Sequence, residues 1–297
     1  MAARAEMEAH DEKHTPFGPR QRHWGEFKRG IAVFGVGLRA LGLFERGVQN
    51  ARAVRLRRLD IDLAALPAAF DGYRILHITD PHLDGLPQFD DVIVDLVRGL
   101  AVDLVALTGD YRWRVHGEFR QILPAMAKLV DAVAARDGIL ATLGNHDTVA
   151  MVEPFEQLGL RVLANETVTV RRGDAAIHVT GLDDVHYFYT DAAAAALSGA
   201  PPGCKIALVH SPEVAHLAAP AGYALYLCGH THAGQICLPG GQPIITNSAL
   251  HWRHARGLWR RGDMLGYTSP GAGTSGLPVR YFTRGEVTVL TLRRGKT

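Results

Sequence analysis

The stretch Leu225–Gly241, LYLCGHTHAGQICLPGG, takes the chain out of a buried strand and directly into a pair of histidines. Leu225 to Cys228 form a short apolar run of the kind that predicts a buried strand. The run stops at Gly229, and His230 and His232 follow on a turn rich in glycine. Histidine is the commonest metal ligand among side chains, so the stretch predicts a ligand-binding loop at a strand end.

Four further apolar runs also end in side chains that can bind metals. They are HITDPHLDG with Asp80 and His82, LTGDYRW with Asp110, ATLGNHDT with Asn145, His146 and Asp147, and ALVHSPE with His210. Strand-like runs alternate with helix-like runs such as FDDVIVDLVRGLA, which indicates an α/β fold. In α/β sheets, ligand sites lie beyond the carboxyl ends of the strands. The five strand ends are therefore expected to meet at one rim.

The side chains at these strand ends are the ligand types of a two-metal site. Carboxylate oxygen, amide oxygen and imidazole nitrogen suit Mn²⁺, Fe or Zn²⁺, and no soft thiolate is among them. Seven side chains are too many for one tetrahedral ion. They fit two ions ~3.5–4 Å apart that share a carboxylate and a bridging water. Each motif alone is weak, but the ordered set of five is specific.

The ordered set resembles the calcineurin-like metallophosphoesterases, whose pattern is D-x-H, G-D, G-N-H-[DE], a lone H and G-H-x-H. The resemblance covers roughly residues 72–294 and implies an α/β/β/α sandwich of two mixed β-sheets flanked by helices. It implies that Asp80, His82 and His232 hold one metal ion. It also implies that Asn145, His210 and His230 hold the other, with Asp110 bridging both. His146 would be the catalytic histidine, with Asp147 close enough in sequence to orient it.

The cofactors implied by the resemblance are two divalent ions, with Mn²⁺ expected first and Fe or Zn²⁺ as alternatives. Two such ions lower the pKa of a bridging water towards ~7, which supplies a hydroxide to attack phosphorus. His146 would stabilise the charge that builds on the phosphoryl oxygens or protonate the leaving group. The expected activity is hydrolysis of a phosphodiester or pyrophosphate.

The late stretch GAGTSGLPVRYFTRGEVTVLTL resembles a bacterial branch of this family that is often tethered to membranes. That branch includes UDP-2,3-diacylglucosamine hydrolases, so a phosphorylated small molecule or a lipid-linked compound is the expected substrate. Arg112 and Arg114 follow the bridging Asp110 and would face the pocket on an extended loop, where they could hold a second phosphate. The alternative is that they pair with Asp84 or Glu118 and order the loop.

Other functions remain open at this level. A general phosphomonoesterase and a nuclease use the same fold, and so do non-catalytic scaffolds that have lost ligands. The complete ligand set disfavours a scaffold. The formal net charge of only +2 gives no global basic field, so nucleic acid is not an expected partner.

Residues 1–50 are expected to form a polar tail and an amphipathic helix ahead of a metallophosphoesterase domain at 51–297. In the helix, six apolar residues recur at helical spacing: Trp24, Phe27, Ile31, Phe34, Leu38 and Leu41. Basic neighbours suit a helix that lies in a membrane interface, and packing on the main domain is the alternative. The three cysteines form no CxxC pair, which fits a reducing compartment. The expected location is cytoplasmic, or peripheral on the inner face of the membrane.

Overall fold

The computed structural model describes residues 1–16, 24–248, 250 and 252–295, with residues 24–28 described by their backbone alone. It contains eight α-helices within these ranges: α1 Ala2–Ala9, α2 Trp24–Ala40, α3 Phe44–Arg52, α4 Phe89–Val97, α5 Leu123–Asp131, α6 Val152–Gln157, α7 Asp191–Gly199 and α8 Ala215–Ala218.

The described ranges also contain fourteen strands. They are β1 Arg55–Leu63, β2 Arg74–Ile78, β3 Ala101–Val102, β4 Leu104–Thr108, β5 Ala134–Ala135, β6 Ile139–Thr142, β7 Leu160–Val162, β8 Glu166–Arg172, β9 Ala175–Gly181, β10 Cys204–Leu208, β11 Leu225–Cys228, β12 Gly257–Arg261, β13 Met264–Thr268 and β14 Glu286–Arg294.

Twelve of these strands form two six-stranded mixed sheets. The first has the order β1-β14-β2-β4-β6-β7, and the second has the order β12-β13-β11-β10-β9-β8. Strands β2, β4 and β6 run parallel to one another, and so do β9, β10 and β11. The carboxyl ends of the central strands therefore open at one edge of each sheet.

Three apolar clusters stack these layers. Ile75, Leu104 and Leu140 of the first sheet pack against residues such as Ile206 and Leu225 of the second sheet. The outer face of the first sheet packs on α4, α5 and α6, and the outer face of the second packs on α7 and α8. The predicted α/β/β/α sandwich of two mixed sheets is confirmed.

Pro124 lies in the first turn of α5, which begins at Leu123. Backbone N–H groups of a first turn have no partner within the helix, so proline loses nothing there. Pro124 therefore starts this helix.

Helix α2 packs one face on the domain and leaves the opposite face in solvent. Leu38 is buried with Phe44 and Val279, and Gly35 lies against Leu277. The outward face carries Val33, Phe34 and Val36, and Leu41 follows directly after the helix; these four apolar side chains are 45–73% exposed. The side chains of Trp24 and Phe27 lie outside the described residues. No helix among the described residues is long and apolar enough to cross a membrane.

Candidate metal centre

The seven predicted metal ligands meet at the rim where the central strands of both sheets end. Loops after β2, β4 and β6 carry Asp80, His82, Asp110 and Asn145 from the first sheet. Loops after β10 and β11 carry His210, His230 and His232 from the second sheet. All seven are buried, with exposures between 0% and 7%.

The first group of ligand atoms belongs to Asp80, His82, Asp110 and His232, which lie close enough to hold one ion. Nε2 of His82 lies 3.3 Å from Nε2 of His232, which in turn lies 3.4 Å from Oδ1 of Asp80. Oδ2 of Asp110 is 3.8 Å from Nε2 of His82.

The second group shares Asp110 with the first. The same Oδ2 of Asp110 lies 3.3 Å from Nε2 of His210. Nδ1 of His230 lies 3.2 Å from that nitrogen, and Oδ1 of Asn145 lies 3.1 Å from His210 and 2.9 Å from His230. Two clusters of donor atoms thus meet at one carboxylate oxygen.

The hydrogen bonds of the three imidazoles show that this donor set fits metal ions. His82 and His210 each direct Nδ1 at a backbone carbonyl, of Arg112 and Thr108, at 2.8 Å. His230 directs Nε2 at the carbonyl of Asn247 at 3.1 Å. A carbonyl accepts a hydrogen bond, so each ring in its neutral form keeps its lone pair on the nitrogen that faces the converging donors. In the neutral rings of His210 and His230, two lone pairs lie 3.2 Å apart with an amide oxygen beside them, and a bound cation would satisfy all three atoms.

Burial keeps three of the four imidazoles in the metal-binding protonation state. It lowers the pKa of His82 to about 3 and holds the pKa of His230 and His232 well below the usual range. Burial alone would raise the pKa of Asp110, but His210 and His146 hold it well below its usual value. Asp110 in turn raises the pKa of His210, although burial opposes this. Asp110 thus favours a positive charge on His210, and a metal ion held by the second group would take the place of that proton.

The backbone at the site is held in a conformation that non-glycine residues rarely adopt. Five predicted ligands have positive φ: Asp80 50°, His82 40°, Asp110 58°, His230 69° and His232 49°. Such residues cost free energy and persist where the surrounding structure fixes them, typically at functional sites. The sharp turns aim the side chains back across the rim.

Two positions near these ligands must be glycine, because the backbone there lies too close to a neighbouring carboxylate to carry a Cβ. A Cβ on Gly144 would overlap Oδ1 of Asp110 and lie 2.6 Å from its backbone nitrogen. A Cβ on Gly229 would overlap the Asp80 carboxylate and lie 2.5 Å from Cγ2 of Thr79. The glycines of GNHD and GHTH therefore make room for a carboxylate of a neighbouring loop.

His146 lies at the edge of the first group. Its Nε2 is 3.9 Å from Oδ2 of Asp110, and its ring centroid is 4.9 Å from that of His82. Nδ1 of His146 lies 2.6 Å from the carbonyl of Trp113, which orients the ring. The free Nε2 therefore faces the site.

The expectation that Asp147 orients His146 is wrong. Its carboxylate accepts hydrogen bonds from three backbone N–H groups, those of Asp110, Tyr111 and Gly144, at 2.7–2.9 Å. Asp147 thus joins the loop after β4 to the loop after β6 and holds the backbone of the shared ligand.

The expectation that Arg112 faces the pocket is also wrong. Its guanidinium group donates to the carbonyls of Val115, Gly117 and His146 at 2.5–2.6 Å, and the residue is 3% exposed. The loop bends at residues 112 and 113, so the alternation of an extended chain does not apply. Arg112 orders the loop, through carbonyls rather than through Asp84 or Glu118. Arg114 is exposed.

Sequence reasoning missed a buried pair beside the second group. His186 directs Nδ1 at the carboxylate of Glu213 at 3.0 Å, and its ring centroid lies 4.1 Å from that of His230. Burial lowers the pKa of His186 to about 4. The available signal was position, because His186 follows β9 and Glu213 ends the HSPE motif.

Buried Arg280 was missed as well. It donates to the carbonyl of His232 at 3.1 Å and to carbonyls of Pro270, Gly271 and Gly273 at 2.6–3.2 Å. It therefore fixes the backbone of one predicted ligand. A separate cleft of about 730 Å³ contains Arg55, Arg57, Arg256 and Arg284, and none of the predicted ligands lines it.

Comparison with curated proteins finds relatives across most of the chain. The uncharacterized metallophosphoesterase YkoQ of Bacillus subtilis is 29% identical over 250 residues, which are 81% of this chain and 91% of that protein. Phosphodiesterase YaeI of Escherichia coli is 26% identical over 230 residues, 74% of this chain and 82% of that protein. A transmembrane protein with metallophosphoesterase domain from Danio rerio is 26% identical, over 83% of this chain and 59% of that protein.

Comparison with solved structures aligns the phosphopantetheinyl hydrolase of Mycobacterium tuberculosis with a TM-score of 0.43. That alignment has 11% sequence identity and covers 67% of this chain and 89% of the other. The profile of the calcineurin-like phosphoesterases matches residues 73–234, which are more than half of the chain and include all seven side chains at the rim. The resemblance noted in the sequence is confirmed: the chain belongs to the calcineurin-like phosphoesterase family.

Proposed function

We propose that this protein is a dinuclear metal-dependent phosphoesterase that hydrolyses a phosphodiester or a pyrophosphate. The observation that carries the proposal is the pair of donor groups that share Oδ2 of Asp110. Family membership and the similarity to a named phosphodiesterase support hydrolysis of a phosphoric ester. The donor set of imidazole, carboxylate and amide oxygen suits Mn²⁺, with Fe or Zn²⁺ as alternatives.

Each predicted residue has a role in this proposal. Asp80, His82 and His232 would hold one ion, Asn145, His210 and His230 the other, and Asp110 both. When bound, two such ions supply a nucleophilic hydroxide at neutral pH and Lewis-acid stabilisation of the phosphoryl oxygens. The Trp113 carbonyl accepts from Nδ1 of His146, so in its doubly protonated form this ring would donate from Nε2 a hydrogen bond or a proton to the phosphoryl or leaving oxygen.

The test is a substrate panel on metal-free protein with Mn²⁺ added back. It compares a nucleotide-lipid pyrophosphate, a cyclic nucleotide, a simple phosphodiester and a small monoester. Hydrolysis of the diester or pyrophosphate should exceed that of the monoester, and Asp110→Asn should lower kcat about a hundredfold or more because both donor groups lose their shared carboxylate. Full activity without metal would contradict the proposal, and preference for the monoester would favour a general phosphomonoesterase.

We propose a lipid-linked substrate because helix α2 exposes a group of apolar side chains. Helix α2 presents Val33, Phe34 and Val36 to solvent, away from the face that packs on the domain, and exposed Leu41 follows its last residue. Exposed apolar residues grouped on a helix with basic neighbours suit binding in a membrane interface. A relative named as a transmembrane protein supports the same location. The proposed location of the protein is therefore peripheral, on the cytoplasmic face of a membrane.

Arg114 is proposed to hold a second phosphate of such a substrate. It is exposed on the loop after β4 that also carries Asp110, and a guanidinium group matches phosphate oxygens. In the panel above, Arg114→Ala should therefore impair the pyrophosphate about tenfold more than the monoester. Equal losses on the two substrates would show that Arg114 only supports the loop.

A further inference from the structure

Helix α1 lies against the rim of the metal centre and inserts Arg4 into it. Arg4 is 1% exposed, although the sequence around it is polar and small. Its Nη2 donates to the carbonyls of Gly144 and Asp147 at 2.9 and 2.7 Å, and its Nη1 donates to Asp183. A charged side chain is buried in proteins only where its donors are used, so this position is specific.

The two carbonyls held by Arg4 bracket the predicted metal ligand Asn145 and the predicted catalytic residue His146. Gly144 and Asp147 are the outer residues of the GNHD motif in the loop after β6. One guanidinium group therefore holds both ends of the segment that carries these two side chains, through backbone carbonyls alone.

Glu8 of the same helix extends this contact along the loop. Its carboxylate accepts from Oγ1 of Thr148 at 2.5 Å and from the backbone nitrogen of Val149 at 3.1 Å. It also accepts from Nε of Arg4 at 2.7 Å, four residues earlier. Arg4 and Glu8 thus form a paired clamp on residues 144–149.

Arg4 also connects the two sheets at the rim. Asp183 follows β9 of the second sheet, whereas Gly144 and Asp147 follow β6 of the first. The guanidinium carbon lies 4.3 Å from the centre of the Phe188 ring. Burial alone would lower the pKa of Arg4, but the negative charges of Asp183 and Asp184 raise it. Arg4 therefore stays charged between these loops.

The segment after α1 contacts the loop that contains His186. His14 pairs with Phe188 through backbone hydrogen bonds to Tyr187 and from Tyr189, at 2.7 and 3.3 Å. Lys13 lies 4.3 Å over the Tyr187 ring. Residues 4–14 thus hold one loop from each sheet on the side of the site where the second donor group lies.

We propose that Arg4 is a positioning residue of the metal centre, which holds the Gly144–Asp147 loop so that Asn145 and His146 face the ions. The inference rests on the proposed function for its catalytic consequence, while its metal-binding consequence can be measured independently. It assigns the N-terminal helix to the active site rather than to a separable tail. The donor group that contains Asn145 should depend on Arg4, and the group that contains His82 should not.

The test uses the full chain with Arg4→Met and Arg4→Lys. Arg172→Met is the matched control, because Arg172 is a mostly buried arginine that pairs with Asp103 and Asp137 away from the rim. Calorimetric titration of metal-free protein with Mn²⁺ should show that Arg4→Met weakens one of two binding events about tenfold or more, the size of effect expected when a ligand loses its support. Arg172→Met should keep both events.

Asn145→Ala distinguishes positioning from general destabilisation. If Arg4 acts through Asn145, Arg4→Met should add little to the loss of Mn²⁺ affinity already caused by Asn145→Ala, since coupled residues are not additive. Independent, additive losses would overturn the proposal. So would two unchanged binding events in folded Arg4→Met protein.

Activity provides the second readout. Arg4→Met should lower kcat about tenfold or more with little change in KM, because the loop supports the reacting groups rather than substrate binding. Arg4→Lys keeps the charge but has one nitrogen, which cannot bond the two carbonyls, Asp183 and Glu8 together as the three guanidinium nitrogens do, so it should fold and still lose kcat. Wild-type kcat in Arg4→Lys would contradict the proposal. If wild-type protein hydrolysed nothing in the panel, the proposed function would fail while the Mn²⁺ titration still tested Arg4.

Discussion

At the scale of single residues, the buried imidazoles differ in what faces them. His82, His210 and His230 each direct one ring nitrogen at a carbonyl and the other at the converging donors of the rim. His77, three residues before Asp80, is fully buried on β2 instead, with Nε2 2.9 Å from Oγ1 of Thr108. Its Nδ1 has no hydrogen-bond partner among the described residues. His77 is therefore a neutral histidine of the sheet interior.

This burial predicts how stability depends on pH. Burial lowers the pKa of His77 to about 3 from an ordinary 6.5. Between about pH 6.5 and pH 3, His77 is protonated in the unfolded chain and neutral in the folded chain. The free energy of unfolding therefore falls as the pH is lowered through this range. One such group contributes a slope of up to about 1.4 kcal/mol per pH unit.

His77→Phe removes that proton and should make the slope shallower by about this amount. The measurement is urea unfolding of metal-free protein between about pH 7 and pH 5. Ser198→Ala, an exposed substitution on α7, should leave the slope of the parent protein unchanged. Equal slopes for His77→Phe and the parent would show that His77 binds its proton in the folded state.

The sequence could predict the features that follow from a residue's position after a strand, but not the contacts that form between folded loops. The seven side chains at the rim could be predicted to meet, because each follows an apolar run and strand ends share an edge; their roles as ligands stay predictions. The partners of Asp147 and Arg112 could not be predicted in this way. Both side chains bond to backbone groups of folded loops, whose bends leave no periodic signal in the sequence.

At the scale of elements, the turns after the strands bring the two sheets together. The loop after β11 crosses to the loop after β2, since the backbone nitrogen of His230 donates to Asp80 at 2.9 Å. The loop after β4 similarly meets the loop after β6, since the backbone nitrogen of His146 donates to Oδ1 of Asp110 at 2.8 Å. These contacts leave no space for a side chain at Gly229 or Gly144.

Gly229→Ala tests this packing. The added Cβ would overlap the Asp80 carboxylate, so Asp80 or the loop must shift. We expect a loss of about 1–3 kcal/mol in the free energy of unfolding, as for overpacked interiors, together with weaker Mn²⁺ binding at the group that contains Asp80.

Gly199→Ala is the matched control, because a Cβ added to this glycine at the end of α7 would meet no described atom within 4 Å. It should change stability by less than about 0.5 kcal/mol and leave Mn²⁺ binding intact. Urea unfolding and calorimetric titration measure both variants. Identical behaviour of the two alanine variants would show that the loop after β11 relaxes without cost.

The strands and helices of the sandwich could be predicted, because buried strands and amphipathic helices each give a characteristic pattern of apolar residues in the sequence. Helix α1 could not be assigned to the rim in this way. Its residues AARAEMEA show no apolar stripe that would indicate a packed helix, and its contacts lie about 140 residues further along the chain. The division at residue 50 stays a prediction, but α1 contacts the metallophosphoesterase domain.

At the scale of the whole molecule, α2 packs one face on the domain and leaves apolar side chains of another face in solvent. Ile31, Gly35 and Leu38 face Gly276, Leu277 and the cluster around Val279. Val33, Phe34, Val36 and Leu41 lie on the other side of the helix and remain exposed. The packing alternative considered from the sequence therefore applies to one face of the helix, and membrane binding by the exposed face stays a prediction.

Removing the segment before residue 51 would remove the packed face, α1 and Arg4 together, so it does not test membrane binding cleanly. Full-length Phe34→Ser/Leu41→Ser changes only the exposed face. Burying one large apolar side chain contributes about 1.5–3 kcal/mol, so the double variant should bind anionic vesicles about tenfold more weakly or worse. Hydrolysis of a water-soluble diester and the unfolding midpoint should stay unchanged, because neither side chain supports the core.

Two further variants make this test decisive. Leu258→Ser, an exposed leucine on β12, should keep vesicle binding. Leu38→Ser, which truncates the buried face, should lower the unfolding midpoint because it leaves a cavity beside Phe44 and Val279. Vesicle co-sedimentation at low and high salt measures binding, and salt should weaken it, since arginines such as Arg29 and Arg46 contribute through charge. Equal binding by the Phe34→Ser/Leu41→Ser variant and the parent would show that the outward face of α2 does not contact the membrane.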